Sequence, residues 1–145
     1  MRFKATEAAA ATGGELIGED TELDGVGFDS RELRPGQLFV PIVGDRDGHE
    51  FLDAAVAGGA GAYLTTGRVV GVASAIRVPD TSRAFLDLAS WSRGRFPERV
   101  IGVTGSVGKT SVKDLTASVL RRTFRTAANV RSYNNEQGLP HTMLN

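Results

Sequence analysis

Cysteine is absent from the 145 residues, which excludes disulfides and thiolate metal sites and suits a cytosolic, reducing setting. Only two histidines occur, His49 and His141; so far apart in the chain, they suggest no metal site, and His141 reads as a surface residue. Neither sign of charge is in excess, with 17 basic against 17 acidic residues. No overall field therefore points to a nucleic-acid or membrane-surface partner. No apolar run approaches the ~20 residues needed to span a bilayer. The opening stretch "MRFKATEAAAATGG" is too weakly apolar, and too soon interrupted by Glu7, to be a secretory signal. These absences together predict a cytoplasmic protein with no membrane insertion.

What the chain does have is a hydrophobic content of 41%, enough to bury a core, arranged so that strand and helix patterns alternate. Thr6 to Ala11 reads as a short helix capped by Thr6 and closed by Gly13-Gly14. Val26 to Phe28 and Leu38 to Val43 have strand character. From Gly48 the period changes, and Phe51, Ala54, Ala55 and Gly58 share a helical face. Ala62 to Thr65 and Ala75 to Val78 read as further buried strands. Pro79-Asp80-Thr81 opens a longer helix with Phe85, Leu88, Ala89 and Ser92 on one stripe, which ends in the glycine- and proline-containing "RGRFPER", residues 93–99.

After that joint comes an expected strand, Val100 to Val103, then a glycine turn, then a helix with Val112, Leu115, Val119 and Leu120 on its apolar face. Alternation of this kind predicts an α/β fold: a small N-terminal domain over 1–79, a connecting helix and linker over 80–98, and over 99–145 the start of a parallel-sheet nucleotide domain. One strand cannot make a parallel sheet with two covered faces, so the second domain is expected to be incomplete and its helix face exposed, with a tendency to associate.

The turn itself, "TGSVGKTS" over 104–111, has the parts of a phosphate cradle. A strand that turns through Gly105 and Gly108 into a helix start offers unpaired backbone N–H groups, the positive end of the helix dipole and open space. Lys109 adds a point charge for β- and γ-phosphates, and Thr110 or Ser111 a hydroxyl for Mg²⁺. The common nucleotide loop would place a glycine at 103, where Val103 stands, and the plain alternative is a chance G-K-T in a turn.

The whole set of motifs resembles the Mur ligases, whose ATP loop has the pattern T-G-[ST]-x-G-K-[ST] without the earlier glycine. "DSRELRPGQLFVPIVGDRDGHEFLDAAVAGGA", 29–60, is similar to the N-terminal substrate domain of the members that add the third and last peptide units. "NVRSYNNEQGLPHTMLN", 129–145, is similar to N-N-E-x-G-x-P-x-T-x-L in the member that adds D-alanyl-D-alanine.

The resemblance implies ATP and Mg²⁺ as cofactors and a cytoplasmic, peptidoglycan-precursor ligase, monomeric at full length. In it, a UDP-N-acetylmuramoyl-tripeptide carboxylate is phosphorylated to an acyl phosphate and attacked by the amine of D-Ala-D-Ala. Lys109 and Thr110 would then be catalytic, Thr110 a metal ligand, and Thr104, Gly105, Ser106, Val107, Gly108, Lys109, Thr110, Ser111 and Asn135 would hold ATP. Asn134, Asn135 and Glu136 are expected to line the ATP–metal region; otherwise they form a polar loop before a helix that Pro140 starts. Ser30 and Arg31 would hold uridine or pyrophosphate oxygens, with Asp47, Gly48 and His49 as the second part of that site. The alternatives at these positions are a turn with an exposed ion pair from Arg31 to Glu32 or Asp29, and an ordinary Asp-Gly turn. The rival functions are a ligase adding the third residue, a folylpolyglutamate-type ligase, and a non-catalytic UDP-sugar or nucleotide-binding module. The 145 residues alone are expected to turn over almost no substrate.

Overall fold

In the computed structural model, which describes residues 1–44, 46–97, 99–129 and 136–145, short strands alternate with helices. The strands are β1 (Arg2–Lys4), β2 (Glu15–Ile17), β3 (Glu22–Asp24), β4 (Val26–Gly27), β5 (Leu38–Phe39), β6 (Ala62–Thr65) and β7 (Ser74–Arg77). The helices are α1 (Ala5–Thr12), α2 (Leu52–Ala57), α3 (Thr81–Arg95), α4 (Lys109–Leu120) and α5 (Gly138–Leu144), with a 3-10 turn at Gly48–Phe51 leading into α2.

Five strands form one sheet in the order β2-β7-β6-β5-β4. β4, β5, β6 and β7 run parallel, and β2 closes one edge antiparallel to β7. β1 and β3 pair separately as a two-stranded antiparallel ribbon. The α/β expectation therefore holds.

Side chains alternate across a strand with period two, and the sheet uses both faces. Leu38, Leu64 and Ile76 enter one core with Phe3, Ala8, Phe85, Leu88 and Leu144. Their neighbours Phe39, Tyr63 and Ala75 enter a second core with Leu52 and Ala55 of α2. Every residue of β6 is buried, as befits a parallel strand covered on both sides. The Tyr63 hydroxyl, buried in the second core, donates to the Val70 carbonyl at 3.0 Å and accepts from the Val70 N–H at 2.6 Å. Its polar tip therefore carries no desolvation penalty.

Helix starts follow local chemistry. Asp80 caps α3, its Oδ1 accepting from the Arg83 N–H at 3.0 Å, where Pro79-Asp80-Thr81 predicts a start. At α1 the expected Thr6 cap gives way to two carboxylates. Glu7 Oε2 accepts from the Lys4 N–H at 2.8 Å, and Asp20 Oδ1 from the Thr6 N–H at 3.0 Å. Helix α1 consequently begins at Ala5.

Two strand expectations need correction. Leu38 to Val43 shortens to the two residues of β5, because Pro41 lacks the N–H a ladder needs. Val100 to Val103 is not a strand. Val100 and Ile101 are 67% and 61% exposed, since among the described residues no strand lies beside them to take their backbone hydrogen bonds. Helix α4 correspondingly leaves Val112, Leu115 and Val119 exposed, as the sequence predicts.

Helix α5 packs chiefly on α3 and also touches β4. Leu144 is fully buried in the first core, and Ser92 of α3 donates its hydroxyl to the Met143 carbonyl at 3.1 Å. His141 is not the surface residue expected: it is half-buried, its ring edge-on to Phe28 at 5.4 Å between centroids, and burial holds its pKa below the ordinary histidine value.

Candidate functional site

The glycine turn needs two residues in the left-handed half of backbone space. Gly105 has φ 146° and Gly108 φ 79°, conformations that an L side chain resists. Gly108 is the N-cap residue of α4, and the helix's first intrahelical bond runs from the Val112 N–H to the Gly108 carbonyl at 2.9 Å. The N–H groups of Lys109, Thr110 and Ser111 lie before that bond and need an outside acceptor.

Thr104, Ser106, Val107, Thr110 and Ser111 are all exposed, Val107 at 90%. Nothing lies within 4 Å of where a Cβ on Gly108 would stand, and only the Val107 carbonyl near one on Gly105. Lys109 folds back over the loop: its Nζ donates to the Gly105 carbonyl and stands 3.5 Å from that of Ser106. Among the described residues it forms no ion pair.

An open ring of N–H donors, a helix dipole and an ammonium held only by neutral carbonyls match the donor set a polyphosphate requires. The residues present therefore fit a nucleotide tail. The Thr110 hydroxyl stands in the first turn, within the same loop. Among the described residues no group of three or more histidine, aspartate or glutamate side chains could hold a metal ion; the exposed Thr110 hydroxyl is an oxygen donor of the kind Mg²⁺ takes. Asn134 and Asn135 lie outside the described residues. Glu136 is exposed just before α5.

The second set of expected residues stands beyond the carboxyl ends of adjacent parallel strands, where open α/β sheets form ligand crevices. Ser30 and Arg31 belong to the turn after β4. Arg31 closes a fork on Asp29, Nε to Oδ1 at 2.9 Å and Nη2 to Oδ2 at 2.6 Å, with the Arg31 N–H also bonded to Oδ1 at 3.0 Å. Those bonds lower the Asp29 pKa from 3.8 to about 2. The ion pair given above as the plain alternative is thus present, and it leaves the Arg31 Nη1 donors without a partner among the described residues.

Asp47, Gly48 and His49 follow β5. Gly48 is set by close approach, because a Cβ there would lie 2.6 Å from the Ile42 N and 2.7 Å from its O. The Gly48 N–H also bonds the Ile42 carbonyl at 2.9 Å. The loop folded on Ile42 fixes the residues on either side. Asp47 Oδ1 accepts from the His49 N–H at 2.9 Å and lies 2.6 Å from the His49 Nδ1. These bonds, the backbone one first, hold the Asp47 pKa below the ordinary carboxylate value. The other ring nitrogen, Nε2, faces the Thr66 hydroxyl at 3.5 Å.

Thr66 is a residue that sequence reasoning missed. Its only signal is its place directly after β6, beside the strand that leads to His49. The structure thus assembles the glycine turn with Lys109 and the Asp47–His49–Thr66 group, each internally. Ser30 and Arg31 lie in the turn after β4, the strand next to β5.

The chain is similar to known proteins over a stretch that takes in both regions. Residues 103–145 match the Mur ligase middle domain. Over 132 residues the chain is 46% identical to the UDP-N-acetylmuramoyl-tripeptide–D-alanyl-D-alanine ligase of Escherichia coli (strain K12), covering 90% of this chain and 29% of that protein. The enzyme of the same name from Bacillus subtilis (strain 168) is 40% identical over 130 residues, covering 87% and 28%. A crystal structure of MurF from Acinetobacter baumannii superposes with a TM-score of 0.90 at 28% identity, over 99% of this chain and 33% of that one. The MurF ligase from Thermotoga maritima in complex with ADP gives 0.71 at 34% identity, over 83% and 28%. The chain spans under a third of the length of the curated relatives described. A glycine turn without the earlier glycine, a parallel sheet ahead of it and these likenesses make the chain similar to the Mur ligases, with residues 103–145 matching their middle domain.

Proposed function

We propose that this chain carries the UDP-substrate domain and the ATP phosphate loop of a cytoplasmic ligase that joins D-alanyl-D-alanine to UDP-N-acetylmuramoyl-tripeptide. The observation that supports this most is the loop: the N–H groups of Lys109, Thr110 and Ser111 precede the first intrahelical bond of α4, and the Lys109 ammonium lies over the same exposed turn, bonded to the Gly105 carbonyl. The relatives compared above carry the D-alanyl-D-alanine name, which favours that member over one adding the third residue.

ATP, when bound with Mg²⁺, supplies the phosphoryl group that converts a carboxylate oxygen into a leaving group. The chain's own contribution is positioning and charge. Backbone N–H groups from Thr104 to Ser111 would hold the phosphates, and Lys109 would leave its carbonyl partners to neutralise the charge gathering on the transferred group. Thr110 would offer its oxygen to the metal, with Asn135 beside the nucleotide. At the other site Ser30 and the free Arg31 donors suit uridine or pyrophosphate oxygens, and Asp47, Gly48 and His49 form the second wall.

Calorimetric titration tests the two sites separately. Lys109→Ala is expected to weaken Mg·ATP by about tenfold or more and to leave UDP-muramoyl-tripeptide affinity unchanged. Ser30→Ala with Arg31→Ala is expected to do the reverse. Unchanged nucleotide affinity in the first variant would overturn the loop assignment; unchanged tripeptide affinity in the second would overturn the substrate site. For the reaction itself, phosphate release that depends on both tripeptide and D-Ala-D-Ala is expected once the reading frame extends to the length of the relatives.

A further inference from the structure

We infer that Asp47, His49 and Thr66 form a base-reading group, in which Asp47 fixes the histidine tautomer and Thr66 contacts the ligand beside it, selecting a nucleobase with a ring N–H over one with a ring acceptor. The inference rests on the proposed UDP-linked substrate and goes beyond it in naming how the base is told from its analogues.

The tautomer follows from the hydrogen bonds. An ionised carboxylate only accepts, and Asp47 Oδ1 stands 2.6 Å from the His49 Nδ1. In the neutral ring, Nδ1 therefore carries the hydrogen and Nε2 the lone pair. Asp47 is a positioning residue: its Oδ1 is already committed to the His49 backbone and ring, and it acts on a ligand through the imidazole.

The lone pair is only loosely used. Thr66 Oγ1 lies 3.5 Å from Nε2, beyond the usual 2.7–3.2 Å range for such bonds. The His49 side chain is 16% exposed, which limits where a partner can reach it, while Thr66 is exposed. β5 and β6 are hydrogen-bonded neighbours, with Phe39 opposite Tyr63, so the segments after them meet at one end of the sheet.

An acceptor beside a hydroxyl complements an imide edge. A uracil ring would give its N3–H to Nε2 and take the Thr66 hydroxyl hydrogen on an adjoining carbonyl. Cytosine presents a lone pair at N3, so two acceptors would face each other and both stay unpaired. Sites built to hydrogen-bond one group reject the analogue lacking it far more strongly than apolar pockets do.

The test titrates the chain with UDP and with CDP, and reads the His49 tautomer from imidazole ¹⁵N shifts. The expected result is binding of UDP tighter than CDP by about tenfold or more, with the hydrogen on Nδ1. Asp47→Ala is expected to bring the ratio toward one and to populate the Nε2–H tautomer. Thr66→Val is expected to weaken UDP more than CDP, and Thr66→Ser to restore it, which separates a lost hydroxyl from a disturbed fold. Equal affinity for UDP and CDP overturns the base-reading group and leaves the nucleotide site standing. Failure to bind either overturns both readings. An unchanged ratio and tautomer in Asp47→Ala overturns the role of Asp47.

Discussion

The side-chain amide of Asn145 pairs with the backbone of Val26 as another strand would. The Val26 N–H donates to Oδ1 at 3.3 Å, and Nδ2 donates to the Val26 carbonyl at 3.0 Å. The same Oδ1 accepts from Gln37 Nε2 at 3.0 Å and Arg34 Nη2 at 3.2 Å. β4 is the edge strand of the sheet, and edge backbone groups need partners from elsewhere. Helix α5 supplies one.

Asn145→Ala is accordingly expected to destabilise the fold by about 1–2 kcal/mol, the cost of leaving part-buried donors unmet. Urea unfolding measures this as a lower midpoint at unchanged slope. Asn145→Asp, which keeps the acceptor but loses the donor to the Val26 carbonyl, should fall between.

Gly48→Ala forces a methyl onto the Ile42 peptide. Backbone cannot yield as a side-chain end does, so a loss of about 1–3 kcal/mol is expected. The proposed substrate site should suffer with it, because Asp47 and His49 flank the displaced atom. Weakened UDP affinity alongside the lower urea midpoint is the expected pair of results, and full stability would show that the loop has another packing open to it.

The Arg31–Asp29 fork makes a pH prediction. Asp29 is held at about 2 against an ordinary 3.8, first by the Arg31 side-chain bonds and then by its N–H. A carboxylate with a depressed folded pKa stabilises fully above its unfolded value, and that contribution is lost as pH falls through the folded one. The pair therefore supports the fold above about pH 4 and fades between there and about 2. In Arg31→Ala, the Asp29 carboxyl titration followed by NMR should move up toward the ordinary value. The stability difference between the proteins should shrink across the same window.

Val112, Leu115 and Val119 stand 51%, 68% and 68% exposed along α4, an apolar stripe of the sort that drives association. Sedimentation of the 145-residue chain is expected to show concentration-dependent self-association, reduced by Leu115→Glu. The urea midpoint should barely change, because that side chain contributes little buried area. A chain that stays monomeric at all concentrations would contradict this.

Some of the molecule was legible from residue patterns. Ala62–Thr65 is a strand because a run of apolar and β-branched residues between glycines buries well on both faces. Asp80 starts α3 because its carboxylate reaches the Arg83 N–H. The glycine turn into α4 was legible because Gly105, Gly108 and Lys109 lie within five residues, and a turn into a helix needs no distant partner. The three-residue strands β1, β2 and β3 were not legible, since "RFK", "ELI" and "ELD" are too short and too charged to show a period. Val100 to Val103 reads as a strand from its composition, yet has no neighbour to bond.

The sequence by itself determined the α/β alternation, the start of α3 at Asp80 and the glycine turn, because each depends on residues within a few positions of one another. Tertiary structure alone decided that Thr66, directly after β6, faces the His49 Nε2, and that Asn145 completes the edge at Val26. Those contacts join residues up to 119 positions apart. Chain closure over such distances follows from the packing of the sheet, which no local pattern encodes.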